Sequence, residues 1–292
     1  MKMSLAKRQS LVGWLFLLPA TLLIALMSFY PMLQALILSL QRGTGQQLQF
    51  TGLLNYQRML ADPVFKTALK NTFLYLGIQV PIMLLLAIIL AVLLNTPKLK
   101  FRALFRTAIF LPCATSLVSY SIVFRALFAA DGFMNFILLR FGLISEAINW
   151  LADTNMARMV IILALLWRWT GYNMIFFLSG LQNISISVYE AARIDGANAW
   201  QSFWKITVPL LRPMILLTAI MSTNGTLQLF DESVNLTNGG PANTTLTLSH
   251  YIYKTSFVGV PNFTYSAAMS YVIFLLVALL AFIQLKVGDT RD

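Results

Sequence analysis

The chain alternates between long apolar blocks and shorter polar stretches. A helix needs about 20 apolar residues to cross a hydrocarbon core of about 30 Å, and six blocks approach or exceed that length. The pattern therefore predicts an all-α integral membrane protein with six transmembrane helices. They are expected over about 11–40, 71–95, 105–129, 157–181, 213–234 and 264–285.

Two polar stretches between the blocks are patterned like helix. The connection that ends at residue 156 is rich in aromatic side chains and is expected to hold an interfacial helix. Its aromatic residues include Phe133, Phe136, Phe141 and Trp150. The stretch 182–212, called the 182–212 segment below, is polar enough to leave the membrane. The expected organisation is a short N-terminal segment, 1–10, and one six-helix domain, 11–292, that contains the 182–212 segment.

Composition agrees with a membrane protein. Of 292 residues, 58% are hydrophobic and only 11% are charged, and the mean hydropathy is +0.74, whereas soluble domains carry about 25% charged residues. The net charge of +11 raises the question of nucleic-acid binding. However, the basic residues stand singly or in small groups between apolar blocks, which is typical of cytoplasmic loops and argues against a nucleic-acid interface.

The placement of basic residues also predicts the orientation. Twelve Lys and Arg residues fall on the side that holds both termini, 96–106 and the 182–212 segment, against seven on the other side. Because cytoplasmic loops are enriched in Lys and Arg, both termini are expected in the cytoplasm. Arg42, Arg58, Lys66 and Lys70 lie on the opposite side and weaken this difference.

Residues 187–213 carry the most specific pattern in the chain. Ser187 and Glu190 have the spacing of a capping box and predict a helix start. Gly196, directly after Asp195, suits a left-handed helix end. A second short helix is expected from about Asn198, with an aromatic stripe at helical spacing, and the next membrane helix is expected to begin near Pro213. The stripe consists of Trp200, Phe203 and Trp204, and Pro209 is expected to end this helix.

This helix–turn–helix can be interpreted in two ways. It is either an ordinary loop whose aromatic residues lie at the lipid interface, or a knob that docks into a partner protein. On the second interpretation, the small side chains of Ala191 and Ala192 permit close approach, and Glu190 supplies a charged anchor.

The segment resembles the membrane permease subunits of binding-protein-dependent ABC importers, whose signature is EAA-x3-G-x9-I-x-L-P. The chain has Val208 where that signature has Leu. The matching residues are Glu190, Ala191, Ala192, Gly196, Ile206 and Pro209. Two stretches are similar to sequences of the carbohydrate-uptake branch of this family: DGANAWQSFWKITVP and, later in the chain, TNGGPANTTLTLSHYIYKTSF.

The resemblance implies a type I importer permease of a bacterial cytoplasmic membrane. Its expected partners are a second, homologous permease, two ATPase subunits, an extracytoplasmic solute-binding protein and a saccharide. The knob around Glu190, Asp195 and Gly196 would dock on the ATPase. The sequence contains no GxxxxGK[ST] phosphate loop, so the chain is expected to be non-catalytic and to need no cofactor.

Polar residues inside the fifth block are the first candidates for a saccharide site. Asn224, Gln228, Asp231 and Asn235 have spacings of four, three and four, which would place them on one face of a single helix. Asn224 would lie about 17 Å into the helix, near the bilayer midplane. Amides both donate to and accept from sugar hydroxyls, but they also form hydrogen bonds between membrane helices. The resemblance favours Asn224 and Gln228 as ligands.

The fourth block adds Arg168, Tyr172 and Asn173 as further candidates. An arginine within a membrane helix requires a counter-charge or a water-filled path. One hypothesis is therefore an anionic substrate, such as a uronide or a phosphorylated polyol. The other is a structural ion pair of Arg168 with Asp231 or Glu232.

Other functions are less well supported by the sequence. His250, expected in an outer loop, has no neighbouring ligands for a metal site. A secondary transporter would show repeated, interrupted helices in matching halves, and the sequence contains no convincing pair.

Overall fold

The computed structural model of the chain describes residues 5–43, 47–96 and 99–288. Most of these residues are helical, and they form two compact units. The smaller unit comprises the chain up to Ala61 together with Ile252–Val272, and the larger comprises Asp62–Tyr251 together with the chain from Ile273.

The smaller unit begins with a long helical stretch. Its elements are α1 (Leu5–Ile24), a π-helical turn (Ala25–Phe29), α2 (Tyr30–Ser39), the antiparallel pair β1 (Gln41–Arg42) and β2 (Gln49–Phe50), and α3 (Leu54–Ala61). Asn55 holds the end of α2, because its Nδ2 donates to the carbonyl oxygens of Ser39 at 2.9 Å and Gln41 at 2.7 Å.

The larger unit contains the remaining helices. They are α4 (Pro63–Asn95), α5 (Arg102–Ala114), α6 (Leu117–Leu127), α7 (Phe133–Arg140), α8 (Thr154–Gln182), α9 (Ile186–Ile194), α10 (Ala199–Ser202), α11 (Val208–Leu210) and α12 (Arg212–Leu227). Two π-helical turns follow α10 and α12, at Phe203–Thr207 and Ser233–Thr237. The last helices, α13 (Leu248–Phe257) and α14 (Phe263–Gly288), contribute residues to both units.

The helices agree with six membrane spans. Among the described residues, four stretches are long and apolar enough to cross a bilayer, and two bent pairs of helices also qualify when each pair is counted as one span. The four are Gln9–Ser39, Pro63–Asn95, Thr154–Gln182 and Phe263–Gly288, and the bent pairs are Arg102–Ala114 with Leu117–Leu127 and Ala199–Leu210 with Arg212–Leu227.

The predicted third and fifth helices are not continuous, and this part of the prediction was wrong. The third bends by 99° after Ala114, where Thr115 and Ser116 adopt extended backbone conformations. The fifth ends at Leu227, seven residues before the predicted end, and the chain turns before the next helical residues.

The two longest helices of the larger unit share a type of N-terminal cap. The side chain of Asp62 accepts hydrogen bonds from the first backbone N–H groups of α4, and Asp153 does the same for α8. An Asp at this position satisfies orphan donors and interacts favourably with the helix dipole. These caps fix where each long helix begins.

Helix α8 lies at the centre of the larger unit and packs against α4, α5 and α12. Small residues permit these close contacts, as is common between membrane helices. A Cβ at Gly171 would clash with the backbone of Ile109 in α5. One at Gly180 would lie 2.8 Å from Leu211 Cδ2.

The aromatic connection after α6 is only partly like the predicted interfacial helix. Phe133, Phe136 and Phe141 are exposed, but Trp150 is buried. The Trp150 Nε1–H donates to Oδ1 of the buried Asn135 at 2.9 Å, so this tryptophan belongs to the core and not to an interfacial face.

Candidate functional site

A cavity of about 310 Å³ lies between α4, α6, α8 and α12 of the larger unit. Its volume is at the lower end of the about 300–1,000 Å³ typical of small-molecule sites. Uncharged polar side chains from Gln79, Asn173, Ser222, Thr226 and Gln228 line it, together with the aromatic residues Trp169, Tyr172 and Phe230. Aromatic faces beside amides and hydroxyls suit a ligand with both apolar ring faces and hydroxyl groups.

Several lining side chains form hydrogen bonds between helices. Thr226 Oγ1 in α12 donates to Gln79 Oε1 in α4 at 3.1 Å. Asn173 Nδ2 donates within α8 to the Trp169 carbonyl oxygen at 3.0 Å, and its Oδ1 accepts from Ser222 Oγ in α12 at 3.5 Å. The buried amides of Gln79 and Asn173 therefore join the helices that form the cavity walls.

The structure brings together four of the six residues predicted to contact substrate. Tyr172, Asn173, Gln228 and Asp231 line the cavity. Asn224 is exposed and lies beside the lining, where its Oδ1 accepts a hydrogen bond from Gln228 Nε2. The sixth residue, Arg168, lies outside the lining.

The prediction that Asn224, Gln228, Asp231 and Asn235 share one helix face was wrong. Only Asn224 lies within α12, and Gln228 is its C-cap residue. Asp231 and Asn235 follow after a break in the helix. Asp231 reaches the cavity because the chain turns after Leu227, a rearrangement that residue spacing does not reveal.

Arg168 holds the broken end of α5. It is 5% exposed, and its Nη1 donates to the carbonyl oxygens of Thr115 at 3.0 Å and Pro112 at 3.3 Å. Its Nη2 donates to the Cys113 carbonyl oxygen at 3.4 Å, and its guanidinium lies 4.8 Å from the Tyr120 ring centroid. A cation at a helix C-terminus is favoured because the last carbonyl oxygens lack intrahelical donors.

Sequence reasoning did not propose four polar residues of the lining as substrate contacts. Gln79, Ser222, Thr226 and Glu232 all line the cavity. Gln79 could have been found, because it is a polar side chain inside an otherwise apolar block, and such residues usually face a cavity or another helix. Ser222 and Thr226 give a weaker signal, since hydroxyls also bond within their own helix.

The 182–212 segment folds as two short helical stretches joined by a turn. Helix α9 ends in a Schellman motif, in which Ala197 N–H donates to the Ala192 carbonyl oxygen at 2.9 Å and Gly196 N–H donates to that of Arg193 at 3.1 Å. Gly196 has a φ of +81°, a conformation that favours glycine. This is the left-handed helix end that the sequence predicts.

The predicted capping box at Ser187 was wrong. Ser187 lies inside α9, and the N-cap residue is Ser185, which makes no side-chain bond to the helix backbone. The capping box occurs instead at the second stretch, where Asn198 and Gln201 bond reciprocally. Ser185 and Ser187 bond each other at 2.7 Å, which removes the hydroxyl needed for the predicted cap.

A polar contact that the sequence did not reveal joins the two stretches. The hydroxyls of Tyr189 in α9 and Thr207 in the following π-helical turn lie 3.2 Å apart, and Thr207 also donates to the Ser202 carbonyl oxygen. Edge-to-face contacts of Trp204 with Trp200 and Phe203 stiffen the second stretch. The second stretch ends at Leu210, one residue beyond Pro209.

The residues of the EAA-like signature, and Asp195 between them, differ in exposure. Glu190, Ala191, Asp195, Gly196 and Pro209 are exposed, Ile206 is half-buried, and Ala192 is buried. Beside them, Ile194 is an apolar side chain that is 87% exposed. The segment thus presents both charged and apolar groups on one short, internally braced element.

His250 does not lie in a loop as predicted. It is buried in α13, where its Nδ1 lies 2.8 Å from Ser233 Oγ. Within residues 5–43, 47–96 and 99–288, no group of three or more His, Cys, Asp or Glu side chains is arranged to hold a metal ion.

Comparison with known proteins identifies the family. The profile described as "Binding-protein-dependent transport system inner membrane component" matches residues 71–289. The lactose transport system permease protein LacF of Rhizobium radiobacter is 53% identical over 290 residues, covering 99% of this chain and 97% of that protein. The arabinooligosaccharides transport system permease protein AraP of Halalkalibacterium halodurans is 37% identical over 280 residues, covering 95% and 87%.

A solved structure shows the same fold. It is a bacterial alginate ABC transporter in complex with an alginate pentasaccharide-bound periplasmic protein, and one chain matches with a TM-score of 0.83 and 21% identity, covering 95% of this chain and 93% of that one. This similarity supports the type I importer permease fold. The chain belongs to the family of binding-protein-dependent transport system inner membrane components and is a non-catalytic, multi-pass permease subunit of a carbohydrate-uptake ABC importer.

Proposed function

We propose that this permease subunit moves its sugar by alternating access, driven by ATP hydrolysis in two partner ATPase subunits. One observation carries the proposal: the 182–212 segment is joined directly to α8 at one end and to α12 at the other, and both helices line the cavity. A displacement of the segment therefore acts on two cavity walls at once.

The cavity is the proposed sugar path. Tyr172 and Trp169 offer aromatic surfaces for a sugar ring, and Gln228 with Asn224 offers amide donors and acceptors for hydroxyls. Both amides are exposed, unlike the buried Gln79 and Asn173. Gln228 and Asn224 are therefore free to exchange their mutual hydrogen bond for contacts with a sugar.

The proposed cargo is a disaccharide of the lactose type. The relative with 53% identity is named as a lactose permease, and the identity extends over almost the whole chain. A second permease subunit is proposed to complete the pathway, and an extracytoplasmic binding protein is proposed to deliver the sugar.

The proposed ATPase-docking surface is the exposed face from Glu190 to Gly196. Glu190 and Asp195 supply negative charges and Ile194 supplies an apolar contact, a combination suited to a groove with basic and apolar walls. Docking there requires the 182–212 segment and both termini to lie in the cytoplasm, which agrees with the distribution of basic residues.

The test is lactose uptake by cells that express the chain with its proposed partner subunits. Uptake is expected only when all subunits are present, and Glu190→Lys or Gly196→Asp is expected to abolish it and to reduce co-purification of the ATPase. Glu146→Lys is the matched control, since Glu146 is exposed, lies far along the chain from the segment and undergoes the same charge reversal. Intact transport with normal ATPase stoichiometry in Glu190→Lys, or uptake by the chain alone, would overturn the proposal.

A further inference from the structure

Two carboxylates line the cavity, Asp231 and Glu232. The other lining residues are uncharged, so no basic side chain is found among the described residues that form this wall. Asp231 is partly exposed, whereas Glu232 is 3% exposed. The charge that a ligand meets directly in the cavity is therefore negative.

Arg168 offsets only part of this charge. It interacts electrostatically with Glu232, but neither carboxylate forms an ion pair within 4.0 Å with any residue that the structure describes. The Arg168 Nη groups donate to the main-chain carbonyls of Pro112, Cys113 and Thr115 at the end of α5. Arg168 thus lies outside the lining, with its Nη donors engaged by main-chain carbonyls, and Asp231 lines the cavity without a basic side chain within 4.0 Å among the described residues.

We propose that the carboxylate of Asp231, with Glu232 beside it, makes the cavity selective for neutral saccharides and excludes anionic ones such as uronides and phosphorylated polyols. This inference rests on the proposed function, because it assumes that the cavity holds the sugar. It also assigns Arg168 a structural role and not that of an anion receptor.

The chemistry of the two ligand classes explains the selectivity. Carboxylate oxygens accept hydrogen bonds from the hydroxyls of a neutral sugar. A carboxylate on the sugar would instead meet a like charge in a cavity between packed helices, where repulsion over several ångströms amounts to a tenfold or larger loss of affinity.

The experiment is equilibrium binding to the purified importer, assembled from the full chain and its partner subunits, without the binding protein and without ATP. Three labelled probes of the same size are compared: lactose, the disaccharide in which the galactose CH₂OH is oxidised to a carboxylate, and the primary amide of that acid. The amide controls for shape, because it replaces the carboxylate with a neutral group of similar volume. Asp231→Asn is the main variant, and Glu146→Gln is the control with the same charge change at an exposed position outside the cavity.

The wild-type importer is expected to bind lactose and the amide, and to bind the carboxylate at least about tenfold more weakly. Asp231→Asn should raise the ratio of carboxylate to amide affinity by about tenfold, and Glu146→Gln should leave that ratio unchanged. Equal wild-type binding of carboxylate and amide, or no change in the ratio in Asp231→Asn, refutes the charge selectivity. Failure of all three probes to bind the wild type refutes instead the proposed function of the cavity.

Discussion

The crossing of α5 and α8 leaves no room for a side chain at Gly171. A Cβ there would lie 2.7 Å from the carbonyl carbon of Ile109 and 3.1 Å from Cα of Phe110, whereas carbon atoms in ordinary contact are about 3.5–4.0 Å apart. Because the opposing atoms belong to the backbone, Gly171→Ala requires the two helices to separate by roughly 1 Å. Overpacking of this kind lowers the free energy of unfolding by about 1–3 kcal/mol.

The expected result is a lower melting temperature. A chain of this size loses about 2–4 °C per kcal/mol, so Gly171→Ala should melt roughly 2–12 °C below the wild type. The only cysteine of the sequence, Cys113, lies in α5 itself and is partly buried. A dye that fluoresces on reaction with thiols therefore reports the opening of this crossing in detergent-purified protein.

Gly77→Ala is the matched control. Gly77 lies inside α4, and a Cβ there would meet nothing within 4 Å. Because alanine has the higher helix propensity, this variant should be neutral or up to about 1 kcal/mol more stable. A Gly171→Ala protein that melts at the same temperature as Gly77→Ala would refute the close approach of α5 and α8.

Two further predictions concern stability and the turn of the 182–212 segment. Asn135→Ala leaves the Trp150 Nε1–H and the Ile148 N–H without their buried acceptor. It should lower the free energy of unfolding by about 2–3 kcal/mol, which is measured as a lower melting temperature. The control Asn149→Ala, at an exposed position nearby, should melt like the wild type. Gly196→Ala places a Cβ in open space but at a φ of +81°. The strain of about 1 kcal/mol should raise the hydrogen-exchange rate of the Ala197 amide about fivefold. Gly196→Asn should raise this rate less, because Asn tolerates the left-handed conformation. Equal exchange rates in both variants and the wild type would contradict this account.

The positions of the membrane helices could be predicted because apolar length is a local property of the sequence. The break in the third helix could not, because it depends on a contact between distant parts of the chain. The carbonyl oxygens of Pro112, Cys113 and Thr115 at the break accept hydrogen bonds from Arg168, more than 50 residues away. The position of Arg168 inside an apolar block therefore marked it as unusual but gave no indication of what it bonds.

The end of α12 illustrates the same limit at the site. The spacing of Asn224, Gln228 and Asp231 fits one helix face, and the only local sign of a break near Leu227 is the turn-forming dipeptide Asn224-Gly225. In the structure, the loop that follows is fixed by a buried hydrogen bond, since the Leu229 carbonyl oxygen accepts from the Thr247 hydroxyl. Tertiary hydrogen bonds thus help to determine the path of the backbone after Leu227. The sequence pattern identified polar residues near the cavity but not how they are arranged.

The contacts at the base of α8 and α12 bear on how the proposed docking of the 182–212 segment would reach the cavity. Gly180 lets Leu211 and Met214 pack directly on the α8 backbone, so the two helices touch where the segment begins and ends. Asn173 lies nine residues before Gln182, the last residue of α8, which is about 14 Å along the helix. A rigid tilt of about 10° at the base would therefore move the cavity wall by roughly 2 Å. Because Arg168 also fastens the end of α5 to α8, we expect such a tilt to move the three packed helices together and so to change access to the cavity without first disrupting its walls.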